Sequence, residues 1–320
     1  MRNKKLFSAF LMLLITMVSL TSASYAWFSQ NVAVQLEGLE LNVEAADGIQ
    51  VSTDAENWRA SLDVQDIIDG YTGHTNQVPS ILSPVSTIGS QSTGNFEMFS
   101  GSLNEEGTTT LTTTGPVTEV AGTFGEFIAF DLFVRTTTTE AIYLDDVSDI
   151  GYVSGDGTSE SVGLEYSSRI AFFNQGTDGT YTPATARALA GGTSATQVIW
   201  EPHALSHTTA ALGQGASTTE KTPYYGVKAA GTELPLSDFA SQTEYFELVE
   251  TITPDTDTVP FDTTNPDNIV FTAEPGITKI RVYVWFEGQD IDNENSAALG
   301  LSNDPDSYLS LTIKFLKLEA

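Results

Sequence analysis

Two histidines are the first side chains whose spacing could support chemistry. His203 and His207 lie four residues apart in HALSH, a separation that places two imidazoles on one face of a helix. A zinc protease of the H-E-x-x-H kind also needs a glutamate between them, and this segment has none and begins after Pro202. We therefore interpret both as loop histidines, and we predict no catalytic residues and no enzymatic activity.

A run of alternating acids is the second candidate. Asp290, Asp292 and Glu294 place carboxylates on every second residue, as calcium loops do. An EF-hand loop starting at Asp290 would need glycine at its sixth position and glutamate at its twelfth, and Asn295 and Leu301 stand there. The two interpretations left are a calcium site of another kind and a polar hairpin connection. We predict no other cofactor.

The overall composition excludes several classes of function. The chain has no cysteine, which excludes disulfides, thiol catalysis and iron–sulfur clusters. Its 42 Asp and Glu outnumber 13 Lys and Arg among 320 residues, giving a net charge of −29. The electrostatic field of this negative charge repels nucleic acid and anionic lipid, so we predict neither as a partner. The charge is explained by solubility outside the cell or by divalent cations bridging subunits or the wall.

The N-terminus carries an export signal. A basic head at residues 2–5 precedes an apolar run at 6–20, and small residues follow up to Ala26. This pattern predicts a signal peptide over 1–26 with cleavage after Ala26. The alternative is a retained helical anchor over 6–28, which reaches the roughly 20 residues that a membrane span needs. Either way we predict an extracellular or cell-surface location, with membrane contact only through 6–28 if cleavage does not occur.

Alternating apolar residues predict the elements that must carry these side chains. The inward sets are Ile128, Phe130, Leu132 and Val134; Leu164, Tyr166, Ile170 and Phe172; Ile280, Val282, Val284 and Phe286; and Leu309, Leu311, Ile313 and Phe315. Such a period of two indicates half-buried antiparallel strands. We predict an all-β protein, an antiparallel β-sandwich of jelly-roll type. It forms one domain over 27–320, with long loop insertions at about 182–223 and 253–268, and its best helical candidate is 57–70.

The first exported strand changes phase. One set of apolar residues ends before Glu37 and a second, in the other phase, begins after Gly38; the two sets are Val32, Val34 and Leu36, then Leu39, Leu41 and Val43. A one-residue slip at glycine predicts either a β-bulge or a different pairing partner for each half.

Several short motifs together resemble a known family. They are SYAWFSQN, DGIQVSTDAENW, FDLFVRTTTTEAIYLDD, SSRIAFF, IWEPH and VYVWFEGQDIDNENS, at residues 24–31, 47–58, 130–146, 167–173, 199–203 and 282–296. Their order is similar to that in the TasA and camelysin group of exported surface proteins of Gram-positive bacteria. Members have signal peptides cut by a dedicated peptidase, and some are biofilm-matrix fibre subunits.

The resemblance implies a jelly-roll body and, for the fibre-forming members, assembly by donor-strand exchange. The mature N-terminal strand would then complete a sheet in the next subunit of a homo-oligomeric filament. The residues suited to this role are Trp27, Phe28, Val32, Val34 and Leu36, with Gly38 as the hinge. Cell-wall or matrix components are further candidate partners. Two alternatives remain: an ordinary first strand paired within its own domain, and a membrane-anchored β-sandwich module that binds glycan or protein.

Overall fold

The protein, seen here in a computed structural model, consists mainly of β-strands. The structure describes residues 34–35, 39–45, 49–79, 81–92, 95–103, 110–117, 119–122, 125–145, 147–157, 159–160, 163, 165–192, 197–203, 205–209, 212, 225–226, 233–235, 246–247, 251–252, 269–288, 290, 292 and 308–317. In these ranges, no helix has the length and apolar character to cross a membrane. The predicted signal or anchor helix and the predicted insertion at 253–268 lie outside them.

The strands are numbered in chain order. Strands β1 to β11 are Val34–Gln35, Leu39–Ala45, Gln50–Ser52, Ser61–Leu62, Ile81–Leu82, Ser86–Ser92, Asn95–Leu103, Thr110–Val117, Ile128–Thr136, Glu140–Leu144 and Asp149–Val153. Strands β12 to β21 are Ser159–Glu160, Ser168–Asp178, Gln197–Trp200, Tyr225–Gly226, Glu233–Pro235, Phe246–Glu247, Thr251–Ile252, Phe271–Ala273, Gly276–Phe286 and Tyr308–Lys317. Two short helices, α1 and α2, are Val64–Asp69 and Pro183–Arg187, and a 3-10 turn covers Glu165–Ser167.

Two sheets form the sandwich. In the front sheet, β11 and β10 pair with successive parts of one edge of β21, and β2 pairs along its other edge. Strand β12 lies beyond β11, β19 beyond β10 and β4 beyond β2. The back sheet has the order β18-β14-β13-β20-β9-β3. Pairing is antiparallel except for β2 with β21 and β14 with β18, which run parallel. The all-β sandwich predicted from the alternation is therefore confirmed.

The core between the two sheets contains most of the predicted inward residues. All four apolar residues of the sets on β9, β20 and β21 are at most 2% exposed and belong to one cluster, as do Ile170 and Phe172 of β13. In the fourth set, Leu164 lies outside the described residues, and Tyr166 is only half-buried because it lies in the 3-10 turn before β13. The front sheet also contributes Val43 and Leu144, and the back sheet contributes Phe172 and Trp200. Every second side chain of these strands thus packs against the facing sheet, as expected for a sandwich.

A third layer covers the outer face of the back sheet. An outer sheet of order β16-β8-β7-β6 contributes Phe96 and Met98 to a second apolar cluster, which includes Tyr283 and Trp285 of β20. Every residue of β20 is consequently buried. The prediction of half-buried strands is wrong for β20, because the alternation was interpreted without this additional layer.

The predicted helix over 57–70 is shorter in the structure. Helix α1 begins after Asp63, whose carboxylate accepts a hydrogen bond from the Asp66 backbone N–H at 3.0 Å, while Asp66 accepts one from the Asp63 backbone N–H at 3.2 Å. This reciprocal cap fixes the start of the helix. It ends at Gly70, whose φ of 45° lies in the left-handed region that glycine tolerates. Residues 57–62 instead lead into β4.

Candidate functional site

The first two strands pair with different parts of the molecule. Strand β1 pairs antiparallel with β5, Val34 opposite Leu82 and Gln35 opposite Ile81. Strand β2 pairs in parallel with β21 along its whole length, from Leu39 opposite Leu309 to Ala45 opposite Phe315. The phase slip left a β-bulge and two different pairing partners as alternatives, and the pairing of β1 with β5 and of β2 with β21 agrees with the second. The remaining predicted assembly residues, Trp27, Phe28, Val32 and Leu36, and the hinge Gly38 lie outside the described residues.

The two strands differ in how firmly they are held. Val43 of β2 is fully buried in the main core, and Glu44 opposes Ser61 of β4 on the strand's other edge. Strand β1 has only its two register pairs with β5 in the described residues. Within a single chain, Val34 is thus paired as the ordinary-first-strand alternative expects. Strand exchange would require the same ladder to be formed by a second copy.

The predicted calcium residues contact protein donors. Asp290 accepts a hydrogen bond from the guanidinium of Arg169, which also pairs with Glu201 at 2.7 Å. Asp292 accepts the backbone N–H of Thr208 at 2.7 Å and lies 2.7 Å from His207. Glu294 lies outside the described residues. The structure brings the first two acids together, and Asp290 already neutralises a buried cation, so the calcium site stays a prediction.

Burial and neighbouring charges shift the pKa values of Asp292 and Arg169. Burial, followed by the nearby charge of Asp290, raises the pKa of Asp292 above its ordinary value of 3.8. For Arg169, burial acts against the charged form, but the carboxylates of Glu201 and Asp290 outweigh it and raise the guanidinium pKa. Arg169 therefore stays charged and ties the end of β14 to the loop after β20.

The two histidines of HALSH are engaged separately. His203 Nε2 lies 2.7 Å from the Ile150 carbonyl oxygen and 3.2 Å from Asp149, both on β11. His207 instead contacts Asp292. The two imidazoles thus contact different elements of the protein. In the part of the chain that the structure describes, no group of three His, Asp or Glu side chains is placed to share a metal ion.

A buried ionic network on the outer face of the back sheet was not predicted. Arg281 of β20 lies directly opposite Asp131 of β9 and pairs with it at 2.9 Å, and with Glu119 at 2.7 Å. Lys279 pairs with Asp131 at 3.1 Å. Tyr71 donates its hydroxyl to Asp131 at 2.7 Å. The network joins the neighbouring strands β20 and β9 to the segments at 71–79 and 119–122.

Burial and neighbouring charges together set the pKa values inside this network. Burial favours protonation of Asp131, but Arg281 and Lys279 outweigh it and lower its pKa. Burial lowers the pKa of Lys279, with Asp131 opposing. Burial and the charge of Glu119 raise the pKa of the Tyr283 hydroxyl, which donates to Glu119 at 2.5 Å. The tyrosine therefore stays neutral and serves as a hydrogen-bond donor.

Comparison with protein-family models, with curated proteins and with solved structures found no match for this chain.

Proposed function

We propose that the chain is an exported structural subunit of a cell-surface or biofilm-matrix fibre. In this proposal, cleavage after Ala26 releases the N-terminal strand, which completes a sheet in the next copy of a homo-oligomeric filament. The proposal includes jelly-roll topology for the sandwich and a relationship to the TasA and camelysin group, both from the motifs described above.

The change of partner between β1 and β2 is the observation that supports this function best. Strand β2 is fixed by seven register pairs with β21, whereas β1 has two pairs with β5 among the residues that the structure describes. Backbone ladders give affinity without regard to which copy supplies the strand. The segment preceding β2 can therefore form the same ladder in a second copy while β2 keeps its place in the body of the first.

Engineered disulfides test this exchange directly. Gln35 and Ile81 are directly opposed in the β1–β5 register, and the chain has no native cysteine. Opposed residues in antiparallel strands have Cα atoms within about 5.5 Å, close enough for a disulfide. In the Gln35→Cys/Ile81→Cys variant, we expect assembled material to show covalently joined copies on a non-reducing gel. Disulfides confined to single chains would contradict the proposal.

A matched control uses the neighbouring strand pair. Glu44 and Ser61 are both exposed and directly opposed between β2 and β4. The Glu44→Cys/Ser61→Cys variant should form its disulfide within one chain whether or not the protein assembles. Deletion of residues 27–36 should abolish sedimenting filaments and leave a folded body by circular dichroism.

The N-terminal mass of the native protein separates the two forms of export. A subunit released for assembly begins at Trp27. An intact Met1 in the membrane fraction would instead favour the membrane-anchored binding module.

A further inference from the structure

A polar cavity opens at one end of the sandwich, where the front and back sheets meet. It has a volume of about 360 Å³, within the range of small-ligand sites. Strands β3, β9, β10 and β21 and the turn after β13 all contribute to its lining, which includes Gln50, Arg135, Thr138, Glu140, Tyr181 and Lys317. None of these residues belongs to the predicted assembly strand or to the acidic loop.

Arg135 is exceptional among the cations of the protein. Every other described arginine and lysine side chain pairs with a carboxylate: Arg59, Arg169, Arg187, Lys279, Arg281, Lys314 and Lys317. Arg135 forms no ion pair with the described residues, although the chain has 42 acids to offer. Its guanidinium stacks over the ring of Trp58, 4.7 Å from the centroid, and donates to the Gln50 side-chain oxygen. These contacts fix the position of the guanidinium, and no described carboxylate pairs with its charge.

The remaining charges of the cavity nearly cancel. Lys317 pairs with Glu140 at 3.3 Å, and the Thr138 hydroxyl donates to the same carboxylate at 2.6 Å. The hydrogen bond from Thr138, together with Lys317, lowers the pKa of Glu140, so this carboxylate stays ionised. The described residues that line the cavity therefore have a net charge of about +1, carried by Arg135, in a protein of net charge −29.

Tyr181 presents an aromatic ring at the cavity in a strained backbone conformation. Its φ of 56° lies in the left-handed region that bulky residues avoid, and the residue is 42% exposed. Asp178 holds the turn by accepting the Thr182 backbone N–H at 2.6 Å and the Thr180 hydroxyl at 2.7 Å. The Tyr181 hydroxyl donates to the Thr136 carbonyl oxygen at 2.9 Å. The turn thus keeps an apolar ring at a polar site.

We infer that this cavity binds a sugar acid, a ring with hydroxyl groups and a single carboxylate. Arg135 would receive the carboxylate, since its planar fork matches carboxylate geometry. The Tyr181 ring would pack against the apolar face of the sugar, and the Gln50 amide and Thr137 hydroxyl would bond to its hydroxyl groups. The net negative charge of the protein favours a ligand with one charge over a polyanion. This site is independent of strand exchange, so a failure of either proposal leaves the other intact.

Calorimetric titration of the purified full-length protein tests the ligand class. The probes are glucuronate, glucose, acetate, inorganic phosphate and a neutral-sugar oligosaccharide that carries one glucuronate residue. We expect glucuronate to bind at least about tenfold more tightly than glucose or acetate, because only it combines the carboxylate with the ring. Tighter binding of this oligosaccharide than of glucuronate would identify a polysaccharide as the source of the sugar acid, and weaker binding would identify the free sugar.

Two variants assign the binding to this cavity. Arg135→Gln should weaken glucuronate binding about tenfold or more and leave any weak glucose binding unchanged. Tyr181→Asn should weaken both, since asparagine tolerates the left-handed conformation but lacks the ring. Arg59→Gln, at an arginine outside the cavity that already pairs with Asp66, serves as the matched control and should bind normally.

Several outcomes would overturn the inference. These are no heat of binding with millimolar glucuronate, equal affinities for acetate and glucuronate, tighter binding of phosphate than of glucuronate, and unchanged glucuronate binding in Arg135→Gln.

Discussion

Two arginines on neighbouring strands of the back sheet have opposite surroundings. Arg281 of β20 is 1% exposed and pairs with Asp131 and Glu119. Arg135 of β9 is only partly buried, stacks on Trp58 and has no carboxylate partner in the described part of the chain. Acids outnumber bases 42 to 13, so this difference does not reflect a shortage of carboxylates. The comparison indicates that Arg281 stabilises the fold, whereas Arg135 is left available for a ligand.

Replacing Arg281 should have the largest effect on stability. Arg281→Leu leaves Asp131 and Glu119 buried without their strongest cation, which typically costs about 3–5 kcal/mol. We expect the free energy of unfolding in urea to fall by that amount, with the 71–79 and 119–122 segments becoming more susceptible to protease. Glu119, which accepts the hydrogen bond of the Tyr283 hydroxyl, would lose the cation that it pairs with.

A double substitution separates lost pairing from lost packing. In Arg281→Leu/Asp131→Leu the opposed charges are removed together, so the cost should be well below the sum of the two single costs. Additive costs would show that the two side chains do not stabilise each other, and the contrast with Arg135 would lose its basis.

Acid pH should weaken the Arg281 network in a defined direction. The pKa of Asp131 is lowered from the ordinary 3.8 in the folded protein by Arg281 and Lys279, against the effect of burial. The unfolded chain therefore takes up this proton first as pH falls. The stability that Asp131 contributes is complete above the ordinary pKa and is lost as pH falls through the folded one. Urea titrations between pH 6 and pH 2 should show a shallower decline in Asp131→Asn than in the native protein.

Asp292 provides a control of opposite sign. Its raised pKa means that the folded state binds the proton more tightly, so its contribution falls as pH rises from 3.8 through the folded pKa. Asp292→Asn should therefore remove a loss of stability with rising pH. Equal slopes in native, Asp131→Asn and Asp292→Asn proteins would contradict both pKa assignments.

Replacing Lys279 should have an intermediate effect. Its Nζ donates to the carbonyl oxygens of Arg187 and Leu189, at 3.0 and 2.9 Å, in addition to pairing with Asp131. Lys279→Met leaves these carbonyls without that donor, which should cost about 1–3 kcal/mol in urea denaturation. The cost is smaller than for Arg281 because methionine fills much of the same space, and because burial already disfavours the lysine charge. A cost equal to that of Arg281→Leu would show that the two cations act as one unit.

The sandwich could be predicted from sequence because the alternation of apolar and polar residues along a strand indicates which of its faces is buried. The alternation in β9, β20 and β21 correctly identified the residues of the main core. The phase slip beside Gly38 indicated a β-bulge or a change of partner, and only the structure shows that β1 and β2 have different partners. The outer layer was missed because Lys279 and Arg281 have the polarity of solvent-facing positions. Tyr283 and Trp285 on the same face were the available signal, since two large aromatics there indicate a covering layer.

The sites depended on contacts that a single sequence does not reveal. Arg281 and Asp131 lie 150 residues apart, and their pairing depends on the register between β20 and β9. The cavity is assembled from four strands and a turn, and no spacing links Arg135 to Lys317. A sequence shows that an arginine is present. Only the fold shows whether a carboxylate reaches it.

Replacing Arg135 should have the smallest effect on stability. Arg135→Gln removes one partly exposed cation–π contact and one hydrogen bond, so the free energy of unfolding should change by less than about 1 kcal/mol. Arg59→Gln is the reference for an ordinary surface arginine. A loss above about 2 kcal/mol would place Arg135 with Arg281 as a stabilising residue. A small loss, combined with abolished sugar-acid binding, would mean that this uncompensated charge is kept for a ligand, because the fold gains almost nothing from it.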